Sequence, residues 1–298
     1  MYKKMVVLLD GSELAEVVFD YAQELSGRMH IDVELLHVCS PQEVAQLPMR
    51  RAYMERMAEE LCEKAQEIRS KYHKDEVAQC VQARGNVVVG YPAEEILKYV
   101  DANDIDLVMM STHGSTGAKG WHLGEVANKI IHASKVPVWL VPTELRDEVL
   151  ADTLATRSMV VPLSFDKESG AAIPHAVDIL NQRGAAGELV LLHVAEVPNI
   201  VVTRAALEQS DEKRVKMKAN LEKIAQPIRE TGLPVRTEVL SGDPVESIIN
   251  YLKDHPTQLL VMATRGQTGL SRLIFDSVTE SIIHLVKVTP LLLVGDKS

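Results

Sequence analysis

Met5-Val-Val-Leu-Leu-Asp10 returns later in the chain as Met159-Val-Val-Pro-Leu-Ser164, an apolar run that stops at a polar residue both times. Four further blocks repeat in the same order. Leu35-Leu-His-Val38 matches Leu191-Leu-His-Val194, and Gly90-Tyr-Pro-Ala-Glu-Glu-Ile96 matches Gly242-Asp-Pro-Val-Glu-Ser-Ile248. Ser111-Thr-His-Gly-Ser-Thr-Gly117 matches Ala263-Thr-Arg-Gly-Gln-Thr-Gly269, and Val136-Pro-Val-Trp-Leu-Val141 matches Thr289-Pro-Leu-Leu-Leu-Val294. The offsets are 154, 156, 152, 152 and 153 residues, so the chain is one unit written twice. A period this long means duplicated domains and not a solenoid. The expected division is a first domain over 1–143, a linker over 144–157 and a second domain over 158–298.

Within each copy, short apolar runs alternate with helical spacing. In the first copy Met5–Leu9, Val33–Val38, Val77–Gln82, Asp106–Met110 and Val138–Val141 read as five buried strands. Met54, Met57, Leu61, Ala65 and Ile68 fall every three or four residues, as do Met217, Leu221, Ile224 and Ile228, which predicts helices packed on a sheet. Pro227 is expected to kink or end the second of these. The polar, acidic linker has room for a short helix. Strands buried on both faces and joined by helices imply an α/β fold: two tandem, doubly wound, parallel five-stranded sheets. Ligands of such sheets sit beyond the carboxyl ends of the strands, where the strand order reverses.

At 298 residues the chain is long enough for two cores, and 46% hydrophobic and 25% charged residues suit a globular protein. Thirty-two basic and 42 acidic side chains give a net charge of −10, divided −8 and −2 between residues 1–150 and 151–298. Such a chain has no general field for a polyanion, so bulk nucleic-acid binding is disfavoured. Cys39, Cys62 and Cys80 form no Cys-x-x-Cys pair, which signals neither a disulfide framework nor a thiolate zinc site. The apolar stretch after Lys4 ends at Asp10, too short for a signal peptide or a membrane span. A cytoplasmic protein with no membrane partner is expected.

Common nucleotide and catalytic motifs are absent from the sequence: there is no Gly-x-Gly-x-x-Gly, P-loop, Gly-x-Ser-x-Gly or His-Glu-x-x-His. His37 and His193, at equivalent strand ends, read as structural. What remains is a strand-end loop feeding a helix, present twice. One runs Ser111-Thr-His-Gly114, nine residues, Gly124-Glu125; the other runs Ala263-Thr-Arg-Gly266, nine residues, Asp276-Ser277. This resembles the universal stress protein family, whose ATP-binding members read Gly-x-x-Gly, nine residues, Gly-Ser/Thr. Leu9-Asp10-Gly11-Ser12 also resembles that family's first strand and turn.

The resemblance covers essentially the whole chain, once per copy. It implies an adenine nucleotide α-hydrolase-like fold and a stress-response regulatory module. It implies binding positions at Asp10, Gly11, Ser12, Val38, Ser111, Gly114, Gly117, Gly124 and Glu125 in copy one, and at Gly266 and Ser277 in copy two. It further implies that the copies pack along their last strands as a pseudo-dimer, and that chains form a homodimer. Glycines let backbone approach a polyphosphate, a helix N-terminus offers free N–H groups, and Asp10 stands where the family's aspartate accepts hydrogen bonds from the nucleoside.

Both copies depart from the pattern. Ser111 and Ala263 replace the first glycine, Glu125 replaces the hydroxyl residue, Ser164 replaces the aspartate and Asp276 the later glycine. A carboxylate in a first helical turn is stabilised by about 0.3–1 kcal/mol and competes for the place of a phosphate. A second anion at ~4 Å costs roughly 4 kcal/mol at an effective dielectric of 20. Lys119, Arg265 and Arg272 are loop cations able to offset an acid. Asp10 also suits an Asx-turn, Ser12 an N-cap, and Ser277 with Glu280 a capping box. Two readings of the cofactor stay open: ATP or another adenine nucleotide with magnesium, held in copy one, or no ligand, with Glu125 and Asp276 replacing its charge and the surface serving a regulatory protein partner. No nucleophile–base pair or metal carboxylate cluster is visible, so no enzyme is expected beyond slow ATP hydrolysis.

Overall fold

The computed structural model describes residues 1–72, 80–112, 123–165, 169–184, 187–195, 204–266, 273–274 and 277–295, with backbone alone at 13–16, 204–211, 265–266 and 273–274. The first half runs β1 (Lys4–Leu8), α1 (Glu13–Met29), β2 (Asp32–Cys39), α2 (Leu47–Tyr72), β3 (Ala83–Val89), α3 (Pro92–Ala102), β4 (Leu107–Ser111), α4 (Glu125–Ala133) and β5 (Val138–Val141). After the short helix α5 (Asp147–Leu150) come β6 (Arg157–Pro162), α6 (Ala172–Arg183), β7 (Gly187–Ala195), α7 (Arg204–Glu230), β8 (Val235–Ser241) and α8 (Pro244–Asp254). The chain then adds β9 (Leu259–Gly266), the two-residue β10 (Leu273–Ile274), α9 (Ser277–Leu285) and β11 (Leu291–Gly295).

The strand order is β3-β2-β1-β4-β5-β11-β9-β6-β7-β8, with β10 paired to β9. Each half is a parallel, doubly wound sheet whose order reverses between its first and fourth strands. The two halves meet where β5 and β11 pair antiparallel, Trp139 opposite Leu292 and Leu140 opposite Leu291. Every residue of β5 is buried, as are the first four of β11. Left as free edges, these apolar strands would expose unpaired backbone and large side chains, and pairing removes both. The pseudo-dimer expected along the last strands is thus built into the chain. Each face of the sheet carries one apolar cluster that runs through both halves.

Helix α1 is buried almost all round because it has sheet on one side, α2 on another and α6 of the second half beyond. The methionine-rich stripe of α2 buries Met54, Met57, Leu61, Ala65 and Ile68 as its spacing predicts. In α7, Leu221 is buried, while Met217, Ile224 and Ile228 pack against the same core. Helix α7 does not end at Pro227; it continues to Glu230 before stopping.

The third strand is a correction. The apolar run Val77–Gln82 does not form it; residues 77–79 lie outside the described residues, 80–82 are irregular, and β3 spans Ala83–Val89. Arg84-Gly85-Asn86 breaks the apolar pattern there because β3 is an edge strand with only partial cover. Gly85 is required by packing: a Cβ at this position would lie 2.2 Å from the Met54 carbonyl oxygen of α2. The glycine lets helix backbone rest directly on the strand.

Candidate functional site

The register between strands fixes which residues meet at the reversal point. β1 pairs β2 with Leu8 opposite Leu36, and pairs β4 with Val7 opposite Met109. Continuing both registers brings Asp10 to the row of Val38 and Thr112, and Leu9 to the row of Ser111. Asp10, Val38 and Ser111, which lie far apart in sequence, thus arrive at one end of the sheet. Hydrogen bonds hold these ends together: Leu9 N–H donates to the Leu36 carbonyl at 3.0 Å, and His37 Nδ1 pairs with the Leu9 carbonyl at 2.8 Å. His193 repeats the device in the second half, 2.7 Å from the Leu163 carbonyl.

Asp10 is exposed and closes an Asx-turn: its Oδ1 accepts from Ser12 N–H at 3.0 Å and from Ser12 Oγ at 2.6 Å. Gly11 takes φ +80°, a left-handed value that favours glycine. Ser12 occupies the N-cap position of α1 in an extended conformation but makes no side-chain cap bond. Its hydroxyl proton goes to Asp10 instead, so Ser12 shapes the turn and leaves the first amides of α1 uncapped by its own side chain.

Across the reversal point, Thr112 N–H donates to Val141 O at 3.1 Å, and Gly124 N–H donates to Thr112 O at 3.3 Å. The loop therefore leaves β4 and returns to the same spot. Gly124 is the N-cap of α4 and Glu125 its first residue. Gly114 and Gly117, with Lys119, lie outside the described residues, as do Asp276, Arg272 and the side chain of Arg265. In the second half Gly266 ends β9 opposite Leu273, and Ser277 opens α9, exposed.

Glu125 departs from the role its sequence position suggests. Its carboxylate reaches one turn along the helix to Lys129 Nζ at 2.7 Å, and among the described residues no side chain caps the amides of α4. The hydrogen bond and charge of Lys129 hold the Glu125 carboxyl below its ordinary range. An i,i+4 Glu–Lys pair on an exposed helix face contributes about 0.2–0.5 kcal/mol toward this rotamer. The acid is thus partly neutralised and turned outward, and among the described residues no side chain takes the first N–H groups of α4.

Two side chains at these sites gave no signal in the sequence. Arg50 of α2 comes over the Gly11 turn, where its Nη1 would stand 3.0 Å from a Cβ at that glycine. Phe165, which stands in the second half where Gly11 stands in the first, takes φ +65° and packs against His193 with ring centroids 4.3 Å apart and planes tilted by 42°. The side chains of 204–211, where the second half's counterpart of Arg50 falls, lie outside the described residues. Among the described residues no group of three or more His, Cys, Asp or Glu side chains is arranged to hold a metal ion. Nor is any described helix long and apolar enough to cross a membrane.

The geometry matches known proteins over the whole chain. A universal stress protein of Archaeoglobus fulgidus superimposes with a TM-score of 0.66, at 22% identity, covering 98% of both chains. A universal stress protein of Synechocystis sp. is 20% identical over 96% of this chain and 98% of its own length. Another from Methanocaldococcus jannaschii is 29% identical over 47% of this chain and 82% of its own length, the size of one half. The sequence model of the universal stress protein family matches residues 1–142 and again 155–295. Two matches in tandem, on two sheets of one topology, make the chain a two-domain member of the universal stress protein family.

Proposed function

We propose that the first half binds an adenine nucleotide across the carboxyl ends of β1 and β4, and that the chain acts as a regulatory stress-response module and not as a dedicated enzyme. One observation carries this reading: an exposed carboxylate, Asp10, and a helix N-terminus that no described side chain caps, that of α4, stand at the same reversal point. A carboxylate only accepts hydrogen bonds, so Asp10 suits the hydroxyls of a ribose and repels phosphate. The amides of α4 suit the phosphates. Gly124 keeps the approach open, since a Cβ there would meet nothing within 4 Å. Magnesium would arrive with the phosphates, since such ions are commonly held by them and few protein groups.

The outward turn of Glu125 favours this over a nucleotide-free protein-interaction module in which that acid stands in for phosphate. The second half, with Ser164 in place of Asp10, serves structure in this reading. Any ATP hydrolysis would be slow and incidental. Titrating the purified protein with ATP and magnesium in a calorimeter tests the proposal: saturable heat supports it, and no heat at tens of micromolar protein removes it.

Localisation and assembly complete the reading. Three free thiols suit a reducing cytoplasm. Because β5 and β11 consume each other's edges, a homodimer of whole chains would use other surfaces. Size-exclusion chromatography with light scattering reads the mass directly, and a monomer would remove that part.

A further inference from the structure

The first half brings a charge to the turn that follows its first strand. In the second half Phe165 covers His193 with a neutral ring. In the first half Gly11 contributes no side chain, and Arg50 brings a guanidinium to the turn from α2. Its compensation there is thin. Nη2 donates to the neutral Gln46 Oε1 at 3.1 Å, and the nearest carboxylate oxygen among the described residues, Glu43 Oε1, lies 3.8 Å away. Glu43 is already engaged, its Oε2 accepting from Ser40 N–H at 3.3 Å and Ser40 Oγ at 3.0 Å. Arg50 Nε is buried with no hydrogen-bond partner. Nη1, which faces the turn and has no partner among the described residues, is the donor left to meet an anion there with a charge-assisted hydrogen bond.

We propose that Arg50 reads the phosphate attached to the ribose, so that the first half takes adenine nucleotides in preference to adenosine. This rests on the nucleotide reading above and deepens it by naming the residue that recognises charge. The position of Arg50 selects which phosphate. It stands beside Gly11, one residue from Asp10, where the hydroxyl-bearing part of the ligand must lie. The terminal phosphates of a triphosphate lead toward α4. The phosphate nearest the ribose is therefore the one within reach of this side chain.

Calorimetric titration of the full chain with adenosine, AMP and ATP tests it, using the wild type, Arg50→Gln, Arg50→Lys and, as a control, the exposed neighbour Arg51→Gln. Charge-assisted hydrogen bonds predict that AMP binds the wild type at least about tenfold more tightly than adenosine. Arg50→Gln should erase that difference while leaving adenosine affinity unchanged. Arg50→Lys should recover part of it, and Arg51→Gln should behave as wild type. Equal AMP and adenosine affinities in the wild type, or an AMP advantage that survives in Arg50→Gln, overturn the assignment. So does a parallel loss of adenosine binding, which marks Arg50 as a support for the loop. If Arg50→Gln removes only the advantage of ATP over AMP, Arg50 reads the terminal phosphates and the proposal is wrong. A wild type that binds none of the three overturns the nucleotide reading itself, a result distinct from all of these.

Discussion

Asp152 and Arg183 join the two halves through a hydrogen bond of 2.5 Å between Arg183 Nη2 and Asp152 Oδ1, both side chains being almost wholly buried. The other oxygen of the same carboxylate faces Arg28 Nη1 at 2.8 Å, and Arg157 Nε lies 3.1 Å from Oδ1. Arg28 belongs to α1 of the first half, Arg183 to α6 of the second, and Asp152 to the connection between them. One carboxylate thus balances guanidinium groups from both domains, in a place where charge cannot be left unpaired.

Asp152→Ala should therefore be among the most destabilising single substitutions in the chain. Removing one partner of a buried ion pair typically costs about 3–5 kcal/mol. Urea unfolding followed by circular dichroism measures it, and a loss below about 1 kcal/mol would show that solvent reaches the cluster.

Gly85→Ala should destabilise through crowding. The new methyl meets the Met54 carbonyl, and helix α2 must lift from the sheet, at a cost of about 1–3 kcal/mol. Thermal unfolding reads the effect, while Gly124→Ala, whose Cβ meets nothing within 4 Å, serves as the mild comparison.

Glu222 sets an acid limb on stability. Its hydrogen bonds to Arg229 and Thr237 pull the carboxyl from an ordinary value of 4.5 down to about 2. A carboxyl depressed in the folded state stabilises above its unfolded value and loses that contribution as pH falls toward the folded one. Stability of the wild type should accordingly fall between about pH 5 and pH 2 more steeply than that of Glu222→Gln. Because the Glu222 side chain is 43% exposed, the difference should be modest and should shrink in high salt. Parallel slopes for the two proteins would refute it.

Asp10→Asn separates turn from ligand. Asparagine supports an Asx-turn as aspartate does, so unfolding should be nearly unchanged. Replacing a charged acceptor by a neutral amide should weaken ATP binding by about tenfold, as expected for one lost charge-assisted hydrogen bond. An unaltered affinity would remove Asp10 from the ligand site.

Glu125→Ser restores the hydroxyl expected at the start of α4. Stability should not move measurably, since only an exposed ion pair with Lys129 is lost. ATP affinity should rise, though less than a bare carboxylate over the amides would imply. Lys129→Ala, which frees the same acid, should lower it, and the two titrations together decide the sign of the effect.

The strands with uninterrupted apolar runs were legible in the sequence because burial on both faces leaves no alternative to Val, Leu, Ile and Met. β3 was misplaced because it is an edge, where Arg84 and Asn86 are tolerated and Gly85 answers to a helix that the local pattern does not mention. The site was legible as a row of strand ends. The orientation of Glu125 was legible too, in the spacing to Lys129, but reading the helix dipole alone gave that carboxylate the wrong direction.

Duplication and fold class follow from the sequence alone, because five blocks in one order and the alternation of strands with helices leave little freedom. Tertiary structure alone decided that Arg50 lies over Gly11, that Phe165 packs against His193, and that Asp152 balances arginines from both halves. Periodic patterns report which side of an element is buried; they carry no information on which distant charges share that burial, since such contacts depend on how whole helices pack.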